Sequence, residues 1–383
     1  RDYGHEIPAF GDKYFWGDTT KNILQWGNYE NPVFRDWIRM KIDSVGDHLK
    51  MVKNEVGSKP LMTCCSSTGP IILNSLALNL ERLSPYLDLF MLENVGINID
   101  CADWVRMDAE ALQQKDIAKK RGNVPAIALS YTIYGKGGYL GWSLSRFWGV
   151  ANWSSTLNQG LEEDPVDLME TEDIIGPYNK WEIKNSNLNY TEGTDLVEVR
   201  LVSSSICRDN GWRRDDGTEQ WDRVRRWSAS LVKNNIGYRI LRSEELSNTV
   251  ALLNENTPLV LDSLGCVSES QFNAIKTYSL KGGTVWLSLP FGTHDEKGFR
   301  RDIPLSEVLM GNRYKNLVLI DDPSESNPIE KLIQKRMFRP VLKQISGDAR
   351  WAARIRIYGE RTVIHFMNTA MIAVPHPTIK EIS

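Results

Sequence analysis

Between residues 31 and 155, short and almost continuously apolar runs alternate with longer stretches whose apolar residues recur at helical spacing. That alternation restricts the fold more than any other feature. A strand apolar at every residue must be covered on both faces, so it belongs in a parallel sheet wrapped by helices. Asn31-Pro32 opens the first helix, with Asn as N-cap and Pro in the first turn. Phe34, Ile38, Ile42, Val45, Leu49, Val52 and Val56 share one face, and Gly57 ends it. Residues 59–65 read as a buried strand, 71–83 as a helix, and 87–92 as a strand running into Glu93-Asn94-Val95-Gly96. A polar helix over 103–121, a strand over 125–131, a helix over 140–151 and a short strand over 151–155 follow. Consecutive units of a (β/α)8 barrel have this order. Only four strands are visible, so residues 1–180 read as the back part of such a barrel. Its earlier strands are expected upstream of Arg1.

Residues 1–30 read as an aromatic, glycine-rich loop, and 160–194 as an acidic and then Asn-rich boundary. A second α/β unit follows: strand 196–204, helix 219–236, strand 238–241, a helix capped by Ser243, strand 258–264, a helix to Leu280, strand 284–289. Ser268 and Gln271 have the spacing of a capping box, and Gly282-Gly283 closes that helix. Four strands alternating with helices in this span predict a small doubly wound sheet, in a domain over 195–335. From 337 the period changes to two. Residues 354–358, a turn at Gly359-Glu360-Arg361, and 362–366 predict a β-hairpin, the start of a C-terminal β-sandwich over 337–383.

The net charge of −3 and the lack of a basic stripe argue against nucleic-acid binding. No apolar run approaches the ~18 residues that span a bilayer, so no membrane partner is expected. The chain begins at Arg1, so the native start is expected upstream and the compartment is unreadable. Five cysteines without regular spacing predict buried thiols rather than a disulfide framework. His5, His48, His294, His365 and His376 are scattered, and neither a metal nor a cofactor is expected. No Gly-rich turn follows the first strand of the second unit, where Ser203-Ser204-Ser205 stands, so a dinucleotide is not expected either. Eight of the 13 Trp precede residue 182. Such rings fill cores, and their flat faces also stack on sugars.

Parallel barrels carry their chemistry at the C-terminal ends of strands. Those ends hold Cys64, Cys65 and Ser66, then Glu93 and Asn94, then Ser130 and Tyr131, then Trp153 and Ser154. Glu93 is the only carboxylate directly after a buried strand. Glycosidic hydrolysis needs two carboxyl groups, one giving a proton to the leaving oxygen and one attacking the anomeric carbon or activating water. Glu93 suits either role. Asp88 lies in or before the strand, Asp100 lies in the following loop, and Asp103 reads as a helix cap. The second carboxylate is therefore expected upstream of Arg1. Tyr131, Trp142, Trp148 and Trp153 are candidate sugar platforms, with Asn94 a further substrate contact. An amidotransferase-like use of Cys266 is weaker, because Ser268 stands where a nucleophile elbow has Gly.

Residues 256–262 (Asn-Thr-Pro-Leu-Val-Leu-Asp), 268–272 (Ser-Glu-Ser-Gln-Phe) and 278–287 (Tyr-Ser-Leu-Lys-Gly-Gly-Thr-Val-Trp-Leu) resemble the trimerisation domain of glycoside hydrolase family 42 β-galactosidases. There, as in the related family 164 β-mannosidases, a barrel precedes it and a β-sandwich follows. Met91-Leu92-Glu93-Asn94 is similar to the late strand end that carries a catalytic Glu. The resemblance implies a flavodoxin-like assembly domain and a homotrimer. It also implies a retaining exo-acting β-glycosidase acting on an oligosaccharide or glycoside, β-mannosidase-like, with β-galactosidase as the alternative. Two strand-like segments follow Glu93. If both belong to the barrel, Glu93 lies on strand six and becomes the acid/base; on strand seven it is the nucleophile. A non-catalytic carbohydrate-binding or assembly protein on a degenerate barrel is the reading from another class.

Overall fold

The apolar runs are strands and the periodic stretches helices in a computed structural model, which describes residues 6, 8–20, 27–62, 77–95, 104–131, 135–155, 168–189, 192–311, 316–320, 328–343, 345 and 351–368. Helix Pro32–Val56 starts as its sequence demands. Asn31 accepts the Val33 N–H, Pro32 fills the first turn, and Gly57 caps the end. Strands β1 (Phe90–Val95), β2 (Ala126–Tyr131) and β3 (Ala151–Ser155) form a parallel sheet in the order β1-β2-β3. Helices Trp104–Lys120 and Gly135–Trp148 make the crossovers. Of the strand expected over 59–65, Met62 pairs with Leu89 as an isolated parallel bridge, while 63–65 lie outside the described residues; of the helix expected over 71–83, residues 71–76 lie outside them too, 77–79 are not helical, and only Leu80–Leu83 forms a helical turn, capped by Asn79.

Residues 168–184, read above as part of a polar boundary, are a helix, Leu168–Lys184. Its acidic start and Pro177 hide it in the sequence. Packing sustains it: Tyr178 stacks on Trp142 at 4.8 Å between ring centres, and Trp181 meets Trp142 edge-on at 5.8 Å. Thr194–Asp195 forms the two-residue strand β4.

The second sheet is fully parallel: β5 (Val199–Ser203), β6 (Tyr238–Arg242), β7 (Leu259–Asp262), β8 (Val285–Ser288) and β9 (Leu317–Leu319), in the order β6-β5-β7-β8-β9. This is the 2-1-3-4-5 order of flavodoxin-like sheets. The Ser268–Gln271 capping box is formed, whereas Ser243 begins a 3-10 turn and Asn248 caps the helix after it. β9 is an edge strand the sequence reading missed, since three apolar residues carry too little pattern to stand out. The hairpin pairs β10 (Trp351–Tyr358) with β11 (Arg361–Asn368) around Gly359-Glu360, a two-residue turn rather than three, with φ +57° at Gly359. β4 lines the other edge of β10, so a pairing of residues 161 and 163 apart in sequence, Arg356 with Asp195 and Ile357 with Thr194, completes this sheet.

A single hydrophobic cluster runs through all these parts, taking in Trp104 and Leu144, Leu201 and Trp227, and Ala352 and Met367. At its centre lies Asp108, fully buried. Its Oδ1 accepts from Trp148 Nε1 at 2.9 Å; its Oδ2 accepts from the Tyr238 hydroxyl at 2.6 Å and Arg354 Nη2 at 2.8 Å. Burial, reinforced by the charge of Asp108, pushes Tyr238 well above the ordinary phenol range, so it stays an O–H donor. Beside this hub, Asp195 accepts from Lys115 Nζ at 2.6 Å and Arg356 Nε at 2.8 Å. Arg356 also donates to the carbonyls of Arg146 and Phe147.

Removing one partner of a buried ion pair strands the other charge, at a cost of ~3–5 kcal/mol. Asp108→Ala should therefore lose about that much in urea unfolding, while Asp36→Ala, in a half-exposed pair with Arg39, should stay within ~1 kcal/mol. His365 sits on the inner side of the hairpin, 3.5 Å from Arg356 Nη1. Burial first, then the charges of Arg356 and Arg146, lower its pKa to about 3. The folded state thus holds the neutral ring, while the unfolded chain binds a proton below about pH 6.5. Stability is whole above that value and falls as pH drops towards 3. The urea midpoint should fall less between pH 7.5 and 5 in His365→Gln than in the wild type; an equal fall would refute the linkage.

Candidate functional site

Register builds the candidate site. In the β1-β2-β3 sheet, Glu93 pairs with Leu129, and Leu129 pairs with Trp153. At about 4.8 Å between strands, one row of about 10 Å holds all three backbones at the C-terminal end. One step further, Tyr131 pairs with Ser155. Between Glu93 and Val95 the register shifts, so Asn94 is the extra residue of a bulge. Bulges re-aim the chain where a strand ends and are frequent next to active sites. The strands are covered on both sides, as their composition requires. Phe90, Ala126 and Ala128 enter the main core, and Met91 with Leu129 forms a separate small cluster on the other face. Trp153, in the same row, is 44% exposed.

The structure brings Glu93, Asn94, Tyr131 and Trp153 to one sheet end by backbone position. The side chains of Glu93, Asn94 and Tyr131 lie outside the described residues, as do Cys64, Cys65 and Ser66. Two platform candidates are corrected. Trp148 is fully buried, with its indole N–H on Asp108, so no face is left for a sugar. Trp142 donates to Glu182 at 2.9 Å and stacks on Tyr178, so its ring joins two helices instead of lining the sheet end. Sequence could not separate the three Trp by role: all follow apolar strands or sit in amphipathic helices, and only the fold decides which becomes core.

The doubly wound sheet has its own potential site, the crevice at the carboxyl ends of β5 and β7 where the strand order reverses. Here the chain fills it. Tyr29 lies against Gly211 and Trp212 against Gly265, and a Cβ at either glycine would overlap the ring. Helix Pro32–Val56 fastens the plug: Arg35 donates to the Gly298 carbonyl, and Arg39 to Asn210 and the Lys297 carbonyl. The slot left beside Ser203, Trp212 and Trp221 measures about 20 Å³, room for one water. Cys266, at the same end, is buried and its N–H donates to Cys207 Sγ at 3.3 Å. Its contact with Cys207, then burial, push the thiol well above its ordinary range. The His294 ring is engaged by Thr293 Oγ1 at 2.9 Å. A nucleophile needs a thiolate, and this environment holds Cys266 as a thiol.

No helix among the described residues is long and apolar enough to cross a membrane. No protein-family model and no curated protein matches this sequence. Solved structures do match in fold. The apo exo-carrageenase GH42 from Bacteroides ovatus, 12% identical, aligns over 90% of this chain and 54% of its own length with a TM-score of 0.53. The GH42 β-galactosidase Gan42B, 13% identical, aligns over 88% and 63% with a TM-score of 0.64. The β-galactosidase of the psychrophilic Marinomonas ef1, 13% identical, aligns over 73% and 48% with a TM-score of 0.53. The chain thus spans about half to two-thirds of the length of these structures, and at such identities the likeness is one of fold.

The corrected roles of the tryptophans separate in stability. Trp148→Ala should cost ~3–5 kcal/mol by emptying a core site. Trp153→Ala should cost less than ~1 kcal/mol, as exposed positions do. Thermal or urea unfolding of the two variants measures both; equal losses would return Trp153 to the core.

Proposed function

We propose that this chain is the later part of a retaining exo-acting β-glycosidase, with Glu93 in its active site. The observation that carries the reading is the position of Glu93: the end of a buried parallel strand, beside a bulge, in register with the exposed Trp153. The fold likeness to GH42 structures supports it. Residues 1–180 then form the back of a (β/α)8 barrel. The unit over 195–335 serves assembly as a homotrimer, which agrees with its plugged crevice. The hairpin opens a β-sandwich, and its outer face, with Ile357, Ile364 and Phe366 exposed, has the apolar character of a sandwich interior.

In the mechanism, Glu93 attacks the anomeric carbon while a second carboxyl group about 5–5.5 Å away protonates the leaving oxygen. The same group then draws a proton from the water that releases the sugar. Asn94 and Tyr131 contact the sugar hydroxyls, and Trp153 stacks on the ring. β-Mannosides are the first substrate class. β-Galactosides are the second, since the Gan42B and Marinomonas neighbours are β-galactosidases.

In the full-length enzyme, Glu93→Gln should lower nitrophenyl β-glycoside turnover on the order of 10³-fold, with unchanged thermal unfolding. A panel of β-mannoside and β-galactoside substrates assigns the sugar. Azide added to Glu93→Ala yields an α-glycosyl azide if Glu93 is the nucleophile and a β-glycosyl azide if it is the acid/base. Full turnover by Glu93→Gln would remove Glu93 from the site. A wild type that binds the sugars without cleaving any of them would favour the non-catalytic reading.

A further inference from the structure

At the opposite ends of β1 and β2 from Glu93, an open cleft of about 380 Å³ is lined by Ser84, Pro85, Ile117, Lys120, Arg121 and Arg242. Three of the six carry positive charge and none is a carboxylate. They come from distant parts of the chain: a 3-10 turn at Ser84–Tyr86, the end of helix Trp104–Lys120, and the last residue of β6. The nearest acids are already engaged. Lys120 pairs with Asp116 and Glu245, and Arg239 pairs with both and with Glu255.

The two arginines retain donors. Arg121 spends Nε on the Ser84 carbonyl at 3.1 Å, which orients the guanidinium beside the cleft. The Arg242 side chain is 17% exposed, and its buried Nε makes no hydrogen bond but is ion-paired with Glu245 at 3.6 Å. A buried donor without an acceptor is costly, and a planar guanidinium is best satisfied by two oxygens of one anion.

We propose that this cleft binds a tetrahedral oxyanion, a phosphate or sulfate group, held between the guanidinium groups of Arg121 and Arg242. Lys120 adds charge, while Pro85 and Ile117 form an apolar wall. The volume exceeds that of a bare anion, so the group enters either free or as an ester on a saccharide. The site owes nothing to the glycosidase reading, because it shares no residue with the Glu93 strand end.

The full-length protein is titrated calorimetrically at low ionic strength with inorganic phosphate, inorganic sulfate, galactose 6-sulfate and plain galactose. Saturable single-site binding of the oxyanions is expected. Arg121→Gln/Arg242→Gln should weaken it by about tenfold or more, while Lys119→Gln, an exposed neighbour, leaves it unchanged. If the double variant fails to unfold cooperatively, Arg121→Lys, which keeps the charge and loses the fork, should show the weakening. Tighter binding of galactose 6-sulfate than of inorganic sulfate identifies an ester as the source, and equal binding identifies the free anion. Absence of saturable oxyanion binding, or equal loss in Lys119→Gln and the double variant, overturns the site.

Discussion

One buried carboxylate, Asp108, organises the molecule. Three donors converge on it, and each belongs to a different part of the chain: Trp148 from the helix before β3, Tyr238 from the doubly wound sheet, and Arg354 from the C-terminal hairpin. An unpaired carboxylate at that depth would be too costly to keep. The charge is tolerable only when all three regions are docked in one relative position, so the hub penalises every alternative packing. Asp195 repeats the device nearby. Burial works against its charge, yet Lys115 and Arg356 hold it well below the usual carboxylate range. Apolar contacts supply the bulk of the attraction between these regions. The polar hub supplies their register.

This arrangement has consequences for function. The helix that ends at Trp148 leads directly into β3, whose far end presents Trp153 beside the Glu93 row. The hub thereby anchors the base of that strand. The doubly wound sheet contributes differently. Its usual ligand crevice holds Tyr29 and Trp212, and Arg35 and Arg39 bind the surrounding loop from the first long helix. The end of the sheet that takes nucleotides in other doubly wound folds is used here as a docking face for the chain itself. With that crevice occupied by Tyr29 and Trp212, the slot left there has room for only one water.

Local rules were largely readable. Asn31-Pro32, Ser268 with Gln271, and the apolar strand runs at 126–129, 259–262 and 285–288 act over a few residues, where capping geometry and side-chain period decide the outcome. The same logic placed Glu93 at a strand end without any structure. It failed where stability comes from afar. Helix Leu168–Lys184 forms despite Pro177 because packing on the Trp142 cluster stabilises it. Strand β4 exists only because β10 lies beside it.

By itself, then, the sequence determined the element types, the parallel character of both sheets and the place of Glu93 towards the C-terminal end of β1, since each depends on short-range periodicity. The tertiary structure alone decided that Trp148 is core and Trp153 surface, that Asn94 occupies a bulge, that the switch-point crevice is closed, and that Arg121 and Arg242 share a cleft. Each of those depends on residues distant in sequence meeting in space, and burial and electrostatic pairing are properties of that meeting rather than of any local pattern.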